Sequence, residues 1–469
     1  METSRKAALR FGEEHFGGAR LGDVRRERRL VTLASDMVKH PGGTLPDKVT
    51  SPAALKALYR LMDNEAVTHE SVLQSHVDRT LDRMRAYDGT VLVVHDTTEL
   101  DYSGLNSLKS ALGQIGNGGG RGYKCHNSLA VTADSREVLG LTHQILFCRP
   151  RVPKGETKSA RCKRATRESR LWKQGSEALP AAPAGRLWVD VADRGADTTE
   201  FLDFEQSRGK KYLVRSQHNR WVLAFHDGVT QRVKLHDWLR TLPEAGRRTV
   251  SVPARGGQRA RTAAVGVGWA AVRVLAPRQP RGELRGTPLA VWAVRVWELD
   301  KPADVKAPLE WILLTNVAVQ SFEQACERLD WYARRWIIEE YHKAMKTGCG
   351  IEKMEFTDPA RLQPAIALVS IVAVFLLTLR DASRRADANE RRACEWIPAE
   401  YVMVLSAWRF QEPDRQLSIH EFYFALARLG GHQNRKHDHP PGWLILWRGW
   451  THLHAMVQGV AAMRGMKCG

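Results

Sequence analysis

Cysteine is scarce in this chain. There are 7 in 469 residues, at 125, 148, 162, 326, 349, 394 and 468, with no Cys-x-x-Cys pair and no Cys/His zinc spacing. A disulfide scaffold and a thiolate metal centre are therefore excluded. Reduced thiols in a cytosol are the expected state, and any metal would be held by oxygen ligands. Long apolar runs are missing too. The longest, 365–379, is interrupted by Ser370 and Thr378. It falls short of the roughly 20 residues that cross a bilayer and reads as a buried core helix. The first 29 residues are polar and hold no apolar stretch of a secretory signal, so a cytoplasmic protein with no membrane partner is expected.

Acidic residues are under-represented. Lys plus Arg number 71 against 52 Asp plus Glu, a net charge of +19. Apolar residues at 43% and charged residues at 26% are ordinary for a globular chain and exclude wholesale disorder. The positive excess favours a polyanionic partner, because every phosphate neutralised by Lys or Arg releases condensed counterions. A GC-rich genome or an anionic membrane would give the same excess, so charge alone does not choose.

Along the chain, 18–40 carries Leu21, Val24, Leu30, Leu33, Ala34 and Met37 at helical spacing, with Arg25, Arg26, Arg28 and Arg29 between them. Further helices are expected at 53–62, which includes Tyr59 and Arg60, and at about 68–86. The pattern then turns to strands: 90–94, ending at His95 and Asp96, then 126–134 and 138–147. Residues 149–186 are basic and read as a loop with at most one short helix. A strand at 187–191 ends near Asp193, a helix follows at 198–208, and 211–215 is another strand. Residues 222 to 318 read as β-rich. Ser321 with Gln324 looks like a capping box that opens one long helix from 322 to about 346, and 358–469 reads as helical.

Three acidic residues stand out by placement. Asp96 and Asp193 sit at or just past the ends of apolar strands, where the crevice of an α/β sheet lies. Taken alone, each reads better as a turn or cap residue. Glu339 lies inside a helix. At about 100° per residue, Tyr332, Arg335, Glu339 and Lys346 fall within about 60° of one another, flanked by Trp336 and Lys343. Ile337, Ile338 and Tyr341 take the opposite, core-facing side. Converging carboxylates without Cys or His ligands suit Mg²⁺ or Mn²⁺.

The spacing Tyr332-x2-Arg335-x3-Glu339-x6-Lys346, within YARRWIIEEYHKAMKTG, resembles the signature of DDE transposases of the Tn-five kind, in the bacterial insertion-sequence family numbered four. Other similar segments follow in the same order: LGDVRRERRLV and LYRLMDN near the start, HDTTELDYSG, VADRGAD, KKYLVRSQH, EWILLTN, and GWLILWRGW near the end. The likeness is weakest at about 149–186 and 222–300, and GQIGNGGGRGY is richer in glycine than expected. The resemblance implies an α/β fold with an RNase H-like catalytic core and a β-rich insertion, flanked by helical N-terminal and C-terminal domains. It divides the chain into a DNA end-recognition domain at 1–70, a catalytic domain at 71–365 with the insertion at about 222–310, and a dimerisation domain at 366–469.

It further implies Asp96, Asp193 and Glu339 as catalytic and metal-binding residues, with Asp190 and Asp197 as neighbours competing for the second place. They would hold two Mg²⁺ ions, as in two-metal phosphoryl transfer, with Mn²⁺ as a substitute. Arg25, Arg26, Arg29, Arg60, Arg215, Trp311, Tyr332, Arg335, Lys343 and Lys346 would contact DNA. Trp311 would stack a flipped base, although a core position fits an apolar strand as well. The implied activity is cut-and-paste transposition by a homodimer on transposon ends and target DNA, in the nucleoid of a bacterial cytoplasm. Two other readings stay open: a catalytically silent or inhibitory DNA-binding relative, and a structure-selective nuclease with the same core.

Overall fold

The computed structural model describes residues 10–49, 51–152, 155–157, 160, 164, 166–226, 228–252, 261–277, 286–300, 308–435, 438 and 440–465. Its centre is one sheet of twelve strands: β1 (Val91–Asp101), β2 (Gly113–Gln114), β3 (Arg121–Thr132), β4 (Val138–Phe147), β5 (Trp188–Ala192), β6 (Lys211–Arg215), β7 (Trp221–His226), β8 (Val229–Lys234), β9 (Gly246–Val252), β10 (Arg261–Val274), β11 (Leu289–Glu298) and β12 (Glu310–Thr315). The order is β2-β3-β1-β5-β6-β12-β11-β10-β7-β8, with β4 on β3 and β9 on β10. β1, β5 and β6 are parallel, and the pairings of β1 with β3 and of β6 with β12 are antiparallel.

The parallel strands read as unbroken apolar runs because both faces are covered. On one face Leu92, Val94, Val189, Val191 and Leu213 meet the helices α7 (Phe322–Ala333), α8 (Trp336–Lys343) and α9 (Pro359–Ser383) in the largest core. On the other, Ala192, Tyr212 and Val214 form a second core with α4 (Leu171–Glu177), α5 (Thr199–Ser207) and α6 (Leu235–Thr241). The β-rich segment is not a separate layer. β12 pairs with β6, so β7 to β11 continue the same sheet.

Several local expectations change. β1 does not stop at Asp96 but runs on to Asp101, paired only with β3 beyond His95. Asp96 is thus the first residue past the parallel pairing with β5. The segment read as β-rich also contains α6. The single helix from 322 to 346 is two helices. The N–H groups of Ile337 and Ile338 donate to Arg334 and Arg335, three residues back, which tightens the chain. Beyond α8, Ala344–Gly348 widens into a π turn closed by the Cys349 N–H on the Ala344 carbonyl, 2.7 Å.

The N-terminal helices α1 (Val24–Lys39), α2 (Pro52–Met62) and α3 (His69–Ala86) share the main core with α9. The boundaries at 70/71 and 365/366 fall within α3 and α9. α9 is the one helix among the described residues long and apolar enough to cross a membrane, and 82% of its apolar window is buried inside the protein. The C-terminal helices α10 (Ala399–Phe410), α11 (Ile419–Leu429) and α12 (Trp443–Gly465) form their own core. They reach back to α1, where Tyr401 and Trp450 each donate a hydrogen bond of 3.1 Å to the Lys39 carbonyl at its C-terminal end.

α11 and α12 cross where Gly430 and Gly449 allow contact between backbones. A Cβ on Gly449 would stand 2.0 Å from the Leu426 carbonyl oxygen. Gly449→Ala is expected to force the two helices apart and cost about 1–3 kcal/mol, the usual range for overpacking. Urea unfolding followed by tryptophan fluorescence checks it, and an unchanged midpoint would mean that the crossing is not a stability determinant.

Candidate active site

β1 carries Asp96 on the face covered by α7 and α8, because side chains alternate and Leu92 and Val94 take that side. Asp193 follows the end of β5 as the cap of a short turn, with its carboxylate accepting the Gly195 N–H at 2.9 Å. Its parity with Val189 and Val191 puts it on the same face. α8 supplies Glu339. Between the two helices stands Arg335, which donates to Asp96 Oδ2 at 3.2 Å and to Glu339 Oε1 at 2.8 Å. Burial first, and the charge of Asp193 second, push the Asp96 carboxyl up to about 7, against the pull of Arg335.

The competing aspartates are taken by other partners. Asp190 is buried on the opposite face, where it bonds His95 Nε2 at 2.7 Å and Ser176 Oγ at 3.2 Å. Burial alone would raise its carboxyl, but the His95 hydrogen bond prevails and holds it low. Asp197 accepts the N–H groups of Gln217 and His218, at 2.6 and 2.9 Å, and pairs with Arg220.

The other expected residues fall into three groups. Tyr332 is buried between Trp311, whose ring centroid is 5.1 Å away edge-on, and Arg335, whose guanidinium lies 5.9 Å from the Tyr332 ring. Arg215 stands opposite Leu313 on β12 and donates to the Glu310 carbonyl at 3.1 Å. Trp311 is only partly buried, packed against the main core. Lys343 and Lys346 line a cavity of about 370 Å³ with Thr98, Glu339, His342, Thr347 and Glu352. Lys346 donates to the Glu99 carbonyl at 2.9 Å and pairs with Glu352 at 3.1 Å. Arg25, Arg29 and Arg60 are exposed on α1 and α2. Arg26 is half-buried and donates to the Leu21 carbonyl at 2.8 Å, which closes the turn before α1.

His342 escaped the sequence reading. On the wheel it lies about 60° from Glu339, just beyond the edge of the stripe, and carries no formal charge. It is buried, and Asn127 contacts its Nε2 at 3.1 Å. Asn127 in turn accepts from Gln144 at 2.7 Å, and Gln144 donates to Ser370 of α9 at 3.0 Å. Burial drives the His342 ring down to about 3, so it stays neutral behind Glu339.

Among the described residues no group of three or more His, Cys, Asp or Glu stands ready-made around a cation. The donor chemistry is nevertheless of the kind that suits a hard divalent ion: Asp96 and Asp193 lie on one face of the sheet, Glu339 lies on the helix over it, and Arg335 bonds Asp96 and Glu339. Arg335 supplies the positive charge between them in the arrangement seen.

The fold so described carries exposed arginines on its N-terminal helices and, separately, a carboxylate cleft at the sheet. A family model described as transposase DNA-binding matches residues 8–67, the segment that includes α1 and α2. The match supports a transposase that binds DNA.

An acid that titrates near 7 when folded, against about 3.9 when unfolded, favours folding at low pH. It loses that contribution as pH rises through 7. Asp96→Asn removes the buried charge. With a chelator present, it is expected to raise the melting temperature at about pH 8 and to change it little at about pH 4. Thermal unfolding at the two pH values checks this, and an equal effect at both would show that Asp96 does not carry the penalty.

Proposed function

We propose that the chain is a DDE transposase of the Tn-five kind, of insertion-sequence family four, acting by cut-and-paste transposition. The observation that carries the reading is Arg335 bridging Asp96 and Glu339, with the charge of Asp193 felt at Asp96, behind a segment matched as transposase DNA-binding. The sheet adds support. Its antiparallel β4, β3 and β1 followed by parallel β5 and β6 is the order expected of an RNase H-like core.

In this reading Asp96, Asp193 and Glu339 would hold two Mg²⁺ or Mn²⁺ ions, which would supply an activated water and stabilise the leaving oxygen of an in-line displacement. Arg335 frees its carboxylates and turns to a phosphate, for which a planar guanidinium is suited. Arg215, Tyr332, Lys343 and Lys346 hold the strand on either side of the cut. Trp311, partly exposed against Tyr332, stacks a base drawn out of the duplex where the strand bends into a hairpin. Water cuts one strand, and the released 3′-hydroxyl attacks the opposite strand to close the hairpin. A second water reopens it, and the 3′ end joins target DNA. A homodimer pairs the two transposon ends in the bacterial cytoplasm.

Asp96→Asn and Glu339→Gln are each expected to lower end cleavage in Mg²⁺ by about 100-fold or more while leaving end binding intact. The substrate is a duplex carrying the short inverted repeats that flank the reading frame. Unchanged cleavage in either variant would remove that residue from the triad. Cleavage absent from the unsubstituted chain would favour a DNA-binding relative without catalysis.

Arg25→Ala with Arg29→Ala is expected to weaken duplex binding and to flatten the slope of log K against log salt by about 2, close to one unit for each phosphate no longer neutralised. An unaltered slope would take α1 out of the DNA interface.

A further inference from the structure

The outer end of the sheet carries a feature that the proposed site does not use. β7 and β8 form a hairpin at its edge, and among the described residues β8 pairs with β7 alone. Apolar side chains on such an edge are normally turned inward. Here Trp221 is 43% exposed, Phe225 67% and Val229 55%. Val222 and Ala224 take the core side, so Trp221, Leu223 and Phe225 share the other face. The partner strand adds cations to it. Lys234 is in register with Trp221, and Arg232 with Leu223. Lys234 Nζ stands 4.6 Å and the Arg232 guanidinium 4.7 Å from the Trp221 ring. Arg273 of β10 lies opposite Leu223 and is exposed on the same face. Among the described residues no carboxylate pairs with Arg232, Lys234 or Arg273.

This is also the face that carries Asp96, Arg215 and Trp311. Arg215 is in register with Leu313, Trp311 with Val296, and Val296 with Val267 of β10. Odd-numbered residues of β10 pass from the covered Val265 and Val267 to the exposed Ala271 and Arg273 as they leave α7. The surface continues outward from the site instead of turning away from it.

The geometry points to a second nucleic-acid surface on the β7–β8 hairpin, which takes an unpaired DNA strand. The inference rests on the DNA reading above. Trp221 fixes two cations at phosphate-binding positions by cation–π contact. Phe225 leaves an open ring for one base to stack. Bases inside a duplex have no free face to offer a ring on a flat sheet, whereas a separated strand does. A second copy paired edge to edge would set Arg232 and Lys234 against their own counterparts, so charge favours a polyanion over self-association.

The experiment measures binding of the full chain to an oligothymidylate and to an unrelated duplex by fluorescence anisotropy, with mass in solution determined alongside. Phe225→Ala and the pair Arg232→Ala, Lys234→Ala are each expected to weaken oligothymidylate binding by about tenfold or more and duplex binding by less than about twofold. The paired cation variant is also expected to reduce the salt slope for the single strand. Phe225 is mostly exposed, so its truncation leaves the core untouched. Three results would overturn the proposal: single-strand binding unchanged in both variants, equal loss on both DNAs, or a fall in mass that marks the hairpin as a self-association edge. An unsubstituted chain that binds duplex but not oligothymidylate also overturns it and leaves the transposase reading standing. One that binds neither removes that reading itself.

Discussion

Two ionised carboxylates cannot share a largely buried cleft, with a third charge close by, unless a cation stands among them. That constraint governs the centre of this protein. Asp96 leaves the sheet where its parallel partner ends, and Asp193 leaves from the end of that partner. Glu339 comes from the helix above. Arg335 answers the accumulated charge with one guanidinium bonded to Asp96 and Glu339 at once. The Asp96 carboxyl stays raised even so, by burial first and by the charge of Asp193 second.

The helix layer is shaped to deliver those groups. A regular helix from 322 to 346 would present one straight stripe. The tight turn at Arg334 and Arg335 and the π turn at Ala344–Gly348 break the stripe into three working parts. Tyr332 faces Trp311 and Arg335 faces the carboxylates, while Lys343 and Lys346 line the cavity beside Glu339. Single π turns often accompany functional sites, and here the turn sets the depth at which Lys346 meets Glu99 and Glu352. Behind the layer α9 is buried on nearly all sides, so α8 rests on a stiff support through Tyr341 and the Ser370 carbonyl, 3.1 Å apart.

Much of the framework was legible in the residues. β4 and β6 fall where alternating or continuous apolar runs placed them, and Ser321 does cap a helix. The second half of β1 was hidden because HDTTELD looks like the polar end of a strand. It lines an open cleft and pairs on one side only, so burial does not pattern it. The break in the long helix was hidden because no proline or glycine marks it. The turn is set by tertiary contact, with Arg335 drawn to Asp96, 239 positions away in the chain. Helical spacing could place Arg335 beside Glu339 but could not bring in a partner from the sheet. The hairpin aromatics were hidden for a different reason. Exposed and buried tryptophans look alike in a strand until the register says which face each one takes.

What holds Asp96 and Asp193 near each other, against their repulsion, lies on the far side of the sheet. Side chains alternate, so His95 points away from the cleft that Asp96 enters, and Asp190 points away from the face that Asp193 takes. Behind the sheet His95 bonds Asp190 on one ring nitrogen and Ser128 of β3 on the other. Three strands are thereby tied at the level where the parallel pairing ends. Gly175 of α4 lies so close to this cluster that a Cβ there would come within 3.0 Å of His126, Ser128 and His95, leaving no room for water to loosen it. Glu205 is buried nearby, and burial with the charge of Asp190 pushes its carboxyl up. The two faces thus use carboxylates in opposite ways. Behind, the Asp190 carboxylate is bonded by His95 and Ser176 and ties the strands. In front, Asp96 and Glu339 share Arg335, and the charge of Asp193 is felt at Asp96. The hydrogen bonds of His95 and Asp190 therefore help to fix the strand ends from which Asp96 and Asp193 enter the cleft.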